Sequence, residues 1–180
     1  YLLGLLDRPD HGEIHLEEES VAQASDETRT SLRNKKIGFV FQFHFLIKEL
    51  TVCENVALPL RKAGVSEKDA SERAVNVLRK LGLEDKCDRF ANKLSGGEQQ
   101  RVAIARAMVS EPSIILADEP SGNLDQKTGE EIMGLIFRLC KDRQQTLILV
   151  THNQDLAQKC DRTLILSEGM LKQDVHKELK

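Results

Sequence analysis

The chain has 180 residues, 40% hydrophobic and 31% charged, the balance of a globular chain and not of a disordered or fibrous one. That length suits one domain, or one domain with an inserted lobe, and is enough to bury a sizeable core. A net charge of −3 leaves no global basic field for nucleic acid or anionic lipid, and aromatics at 4%, with no Trp and one Tyr, argue against single-strand binding by base stacking.

No apolar run approaches the roughly 20 residues that a bilayer span needs. The longest runs, such as Leu147-Ile148-Leu149-Val150, have the length of core strands. The cysteines Cys53, Cys87, Cys140 and Cys160 are scattered, with no C-x-x-C pair; they read as small apolar residues in a reducing compartment.

Along the chain, residues 1–6 read as the apolar end of a helix and 7–12 as a turn. Residues 13–16 alternate as a short strand, and the polar stretch 17–34 reads as loop-rich. Residues 37–41 (IGFVF) form an apolar run ending at Gln42, as a buried strand does. Thr51-x-x-Glu54 is a capping box opening a short helix that Pro59 limits. Ser66-x-x-Asp69 caps the next helix, which Gly82 stops, and Ser95-x-x-Glu98 is a further capping box. Beyond it the chain alternates: a strand over 113–117, a helix over 127–143 and a strand over 146–151. A short helix over 153–160 and a last strand over 163–167 follow. Apolar strands alternating with helices predict a parallel sheet covered on both faces.

Chemistry concentrates at a few points. Asp118-Glu119 ends an apolar strand, where ligands gather in parallel sheets; one carboxylate there can hold Mg²⁺ and the next can orient or deprotonate a water. The same residues could simply be a strand ending in solvated acids. Leu94-Ser95-Gly96-Gly97-Glu98-Gln99-Gln100 places two glycines and a hydroxyl at a helix start, an anion-binding arrangement or an ordinary capped helix. Gln42 and His152 each follow an apolar strand, and either could be a structural polar group. Their order gives them weight: strand-end Gln42, a helical segment, L-S-G-G-E-Q-Q, strand-end Asp118-Glu119, Ser121-Gly122-Asn123-Leu124-Asp125, and strand-end His152.

That order resembles the nucleotide-binding domain of ABC-transporter ATPases across essentially the whole chain. Gln42 matches the family's Q-loop, residues 94–100 the signature motif, and 114–119 the Walker B strand with its catalytic Glu. Residues 122–125 match the D-loop and His152 the switch histidine. Within the family, Q-F-H-F-L, E-N-V-A-L-P-L and A-D-E-P-S-G-N-L-D look most like the ATPases of bacterial lipoprotein-releasing complexes, with macrolide-exporter and cell-division ATPases as close alternatives. No G-x-x-x-x-G-K-[ST] occurs in the chain. In the family that phosphate loop lies just upstream of the segment matched by Tyr1-Leu2-Leu3-Gly4, so the expectation is a chain cut after the loop.

The resemblance implies an α/β fold: a RecA-like P-loop NTPase core, mostly parallel sheet, formed by 1–42 and 95–180 and lacking its N-terminal strand and phosphate loop, with a helical subdomain inserted at 43–94. It implies ATP and Mg²⁺ as cofactors, with Asp118 and Gln42 at the metal. Glu119 and His152 become the catalytic pair, and Gln42, Ser95, Gly96, Gly97, Gln99 and Asp125 the nucleotide-binding residues, those of the signature motif acting on the ATP of an opposite subunit. The implied partners are a second ATPase subunit, head to tail, and integral membrane permease subunits, with no nucleic acid and no span of its own. The implied place is the cytoplasmic face of the inner membrane, peripherally. A chain without its phosphate loop is expected to hydrolyse no ATP. Readings from other classes are a non-catalytic truncated interaction module and a soluble ABC ATPase of DNA repair or translation; no heptads or basic stretch support the last.

Overall fold

In the computed structural model, which describes residues 1–177, the chain opens on a turn. Leu6 N–H donates to the Tyr1 carbonyl and Leu5 N–H to that of Leu2, both at 3.0 Å, while Leu5 sits at φ +55°. These paired bonds are the Schellman form in which helices close. The expected helix end is present as a cap, without a helical turn of its own.

Two two-residue strands, β1 (His15–Leu16) and β2 (Glu19–Ser20), pair antiparallel, so the strand expected over 13–16 is shorter. The stretch read as loop-rich holds an 11-residue helix, α1 (Asp26–Lys36). Only Arg29 of it is buried, so it shows no apolar stripe; its ends do the work. The Ser25 hydroxyl accepts from Thr28 N–H, Asp26 and Glu27 lie in the first turn, and Arg33, Lys35 and Lys36 in the last, all favourable to the helix dipole.

After β3 (Ile37–Phe41) come α2 (Val52–Lys62) and α3 (Glu67–Lys80), both capped as the sequence predicts. Pro59 does not limit α2. It withholds one N–H, but the next turn still closes, with Ala63 N–H on the Pro59 carbonyl at 3.1 Å. Two 3-10 turns, Glu84–Lys86 and Ala91–Lys93, lead to α4 (Gly96–Met108). Then follow β4 (Ile114–Asp118), α5 (Gln126–Asp142), β5 (Thr146–Val150), α6 (Gln154–Ala157), β6 (Arg162–Ser167) and β7 (Met170–His176).

The central sheet is parallel, in the order β3-β4-β5. β6 is not the last strand and does not join it: β6 and β7 form an antiparallel hairpin around Glu168 and Gly169, both at positive φ, as tight hairpin turns require. The apolar-polar mixture of 170–176 hid β7 from pattern reading.

One face of the sheet carries Val40, Ile115 and Ala117 into the main core. There they share a cluster with Val102 and Ile104 of α4, Ile132 and Ile136 of α5, and Val56, Ala74 and Leu78 of α2 and α3. On the other face Leu5, Leu16, Val21 and Ile37 form a smaller cluster. That face is covered only in part, since Val150 at the end of β5 is 58% exposed. Gly38 is required where β3 meets α4: a Cβ there would collide with the Ala107 carbonyl oxygen.

Candidate nucleotide-hydrolysis site

The register of the sheet assembles the site. Phe41, Asp118 and Val150 pair as neighbours at the carboxyl ends of the three parallel strands. The residues that follow, Gln42, Glu119, Thr151 and His152, therefore emerge along one edge, the place where open α/β sheets bind ligands. Glu119 turns sharply, at φ +43°, with its N–H on the Val150 carbonyl at 3.0 Å. Its carboxylate Oε1 accepts from His152 N–H at 2.7 Å and lies 2.6 Å from His152 Nδ1, while Oε2 accepts from the Thr151 hydroxyl at 3.5 Å. An ionised carboxylate only accepts; in the tautomer that matches this contact Nδ1 is the donor and Nε2 is left without a partner among the described residues. The Glu119 side chain is 22% exposed and that of His152 86%: an anchored acid behind a free imidazole edge.

Gln42 Nε2 donates to Asn123 Oδ1 at 2.9 Å, and Asn123 Nδ2 returns a bond to the Gln42 carbonyl at 3.1 Å. Gly122 makes room for this pairing, since a Cβ there would stand 2.8 Å from Gln42 Nε2. With its nitrogen engaged, Gln42 keeps Oε1 as its open polar atom. Among the described residues no group of three His, Cys, Asp or Glu could hold a metal. A cation here would rest on a few hard oxygens, Asp118 and Gln42 Oε1, and otherwise on water and phosphate. That donor set fits Mg²⁺ and does not fit zinc.

Three further residues escaped the sequence reading. Asn123 lay inside the quoted S-G-N-L-D run. Gln100, fully buried, donates through Nε2 to the Pro120 carbonyl at 2.6 Å and the Phe41 carbonyl at 3.3 Å, tying α4 to the ends of β3 and β4; its place in the signature run was the only signal. Arg106 donates to the His44 and Phe45 carbonyls, both at 2.7 Å, and burial pulls its pKa below the usual value. With Asn55, whose side chain bonds both the N–H and the carbonyl of Ile47, it pins the loop after Gln42. Burial also lowers the His44 pKa, opposed by a hydrogen bond with Gln99.

Ser95 begins α4 as both partners of its capping box require. The turn packs against the start of α5: a Cβ on Gly97 would lie 2.9 Å from Thr128 Cγ2 and one on Gly96 3.6 Å from Leu124 Cδ2. Asp125 caps α5 through Thr128 N–H at 3.1 Å, and its bonds with Thr128 hold its carboxyl below the usual range. Gln99 Nε2 donates back to the Leu94 carbonyl at 2.9 Å. The structure thus forms two groups, Gln42, Asp118, Glu119 and His152 at the strand ends, and Ser95, Gly96, Gly97 and Asp125 where the N-terminal ends of α4 and α5 pack together. Among the described residues no hydrogen bond joins Ser95 to the strand-end group.

The parallel α/β core is shared with solved ATP-binding cassettes. The dimeric ABC transporter cassette MJ0796 superposes with a TM-score of 0.85 at 41% identity over 96% of this chain and 76% of its own. CbiO1 of Clostridium perfringens, part of the ABC transporter complex cbiONQ, gives 0.85 at 29% identity over 97% of this chain and 69% of its own. The family profile described as "ABC transporter" matches residues 1–122, and the chain belongs to that family, whose general reaction is ATP hydrolysis. More particularly, it is 46% identical over 171 residues to the lipoprotein-releasing system ATP-binding protein LolD of Cytophaga hutchinsonii, covering 95% of this chain and 78% of that one. It is likewise 46% identical over 173 residues to LolD of Bacteroides thetaiotaomicron, covering 96% and 79%.

Proposed function

We propose that this chain is the ATP-hydrolysing subunit of an inner-membrane ABC transporter that releases lipoproteins toward the outer membrane. The observation that carries the hydrolytic part is the Glu119 carboxylate, 2.6 Å from His152 Nδ1 at the strand ends. The lipoprotein part draws on the likeness to LolD proteins.

Glu119 takes the proton of the attacking water. Its tether to His152 N–H fixes where that water can stand, and the exposed Nε2 edge of His152 meets the γ-phosphate. Gln42 and Asp118 are the residues that would hold Mg²⁺, Asp118 through water; when bound, the ion neutralises charge on the transferred phosphoryl group. Ser95, Gly96, Gly97 and Gln99 serve the nucleotide of a second copy packed head to tail, and Asp125 bridges the two sites. Phosphoryl transfer depends on positioning and charge stabilisation, which such a division supplies: acid and metal residues from one copy, a helix N-terminus from the other.

The permease subunits dock beside the loop after Gln42, where Phe43, Phe45 and Ile47 stand exposed with Leu58 of α2. No helix among the described residues is long and apolar enough to cross a membrane; the subunit sits peripherally at the cytoplasmic face.

The test is replacement. A chain carrying these residues together with an upstream phosphate loop is expressed with its membrane subunits in cells depleted of their own lipoprotein-releasing ATPase. Restored transfer of lipoproteins, lost with Glu119→Gln, is expected. ATP hydrolysis without lipoprotein transfer would overturn the substrate and leave the ATPase.

A further inference from the structure

The N-terminus of α4 already holds an anion of its own. Glu98 Oε2 accepts from both Ser95 N–H and the Ser95 hydroxyl, each at 2.8 Å. The return arm of the box is longer, Glu98 N–H reaching Ser95 Oγ at 3.4 Å. A hydroxyl has one proton, so Ser95 cannot donate to a phosphate while it donates to Glu98. The carboxylate also lays a full negative charge where the helix dipole favours an incoming anion.

Its other oxygen points to a second home. Glu98 Oε1 stands 3.9 Å from Lys86 Nζ, on the 3-10 turn that leads into this segment, and Arg89 adds to the positive field there. Lys86 also reaches Asp85 at 3.3 Å, so it is held in place whether or not Glu98 leans on it. The Glu98 side chain is one-third exposed, free enough to turn between the two.

Resting on the reading that Ser95 and its glycines face the γ-phosphate of a second copy's ATP, we propose that Glu98 is the built-in occupant of that anion site and that Lys86 receives it when phosphate takes its place. Glu98 is a positioning residue: it touches no reacting atom but sets how easily ATP closes the dimer. A neutral residue at 98 removes the competitor, and loss of Lys86 removes its refuge.

The experiment measures the ATP dependence of hydrolysis in an ATPase carrying these residues together with an upstream phosphate loop, with its membrane subunits, for the parent, Glu98→Gln, Lys86→Ala and the double variant, with melting temperatures alongside. Gln keeps an acceptor for Ser95 N–H and loses the charge, so KM for ATP falls about threefold, the scale of one charge at a helix N-terminus. Lys86→Ala alone raises KM by about as much, and does nothing once Glu98 is Gln. If Glu98 is only a cap, Glu98→Gln lowers the melting temperature and leaves KM unchanged or higher, and Lys86→Ala acts equally in both backgrounds; either result overturns the proposal. Ser95→Arg separates the layers. If it hydrolyses ATP like the parent, the underlying reading of Ser95 fails. If it is inactive while the Glu98 and Lys86 variants leave KM unmoved, only the displacement fails.

Discussion

The strand-end group and the α4 turn are built in opposite ways. Gln42, Glu119, Asn123 and His152 come from separate stretches and meet only because β3, β4 and β5 align Phe41, Asp118 and Val150. Each contact crosses between segments: Glu119 to His152, Gln42 to Asn123. Around Ser95 the hydrogen bonds stay within residues 94–99, and the Lys86 ion pair and packing on α5 reach outside them. The strand-end group depends on the whole sheet; the bonds around Ser95 are written in a few consecutive residues. In a dimer whose site takes one half from each copy, a distortion of the sheet spoils one half and leaves the other ready.

The largest effect separates the halves at their chemistry. Glu119→Gln keeps size and hydrogen bonding but removes the proposed base, so turnover should fall by about 10²–10⁴, the span of general base catalysis, while ATP binding by a chain that also carries a phosphate loop persists and the closed dimer accumulates. A strand end that merely carries solvated acids predicts almost no change, and turnover within about threefold of the parent, judged against that catalytic span, would remove Glu119 from the reaction.

Next comes Ser95→Arg, which fills the space over two glycines. The lost cap costs about 1 kcal/mol, whereas a lost transition-state contact costs ~3 kcal/mol, as for an oxyanion donor. A mixed dimer decides where the contact is made. One copy carries Ser95→Arg and the other a disabled phosphate-loop lysine. If sites form across copies, both lesions fall in one site and the other keeps both intact halves, giving single-turnover hydrolysis of one ATP per dimer. Two dead sites would assign Ser95 to its own copy's nucleotide.

Gln100 joins the halves, sitting on α4 while bonding the carbonyls of Phe41 and Pro120. Gln100→Leu takes this donor from both carbonyls, the bond to Pro120 being buried, at about 1–3 kcal/mol. Denaturant unfolding should show that loss, with hydrolysis falling as the ends of β3 and β4 shift, while amide protection at Ser95 stays. Equal loss of protection at Ser95 would show the two halves to be one cooperative unit.

The same contrast explains what the sequence revealed. Capping boxes at Thr51 and Ser95 are local rules, readable from residues three apart, and the structure reproduces both. Apolar runs announced β3, β4 and β5. The helix α1 has no apolar stripe, since only Arg29 is buried, and β7 has no alternation to read. Pro59 misled because a proline withholds one bond and a helix can absorb that loss. The strand-end residues were noticed for their order along the chain, but the links from Gln100, Asn123 and Arg106 are long-range contacts to carbonyls and amides, and nothing in a local pattern encodes a carbonyl's position.

The smallest expected effect touches the local half alone. Glu54 and Glu98 are held below the usual carboxylate range, first by the N–H groups of Thr51 and Ser95 and next by their hydroxyls. A carboxyl whose pKa is lower in the folded chain contributes stability that is fully present above its unfolded value, about 4.3 for Glu, and lost as pH falls through the lower folded value. Acidification below about pH 4 should therefore loosen the two boxes while the β4–β5 ladder, held by carbonyl acceptors, keeps its protection. Each box is worth about 0.3–1 kcal/mol, too little to unfold the chain and enough to read by amide exchange. Expressed as protection factors, the Thr51 and Ser95 amides should weaken together with falling pH, and those of β5 should not. Protection at Ser95 that held down to the point of global unfolding would mean that packing on α5, through Gly97 against Thr128, and not the Glu98 carboxylate, keeps the turn in place.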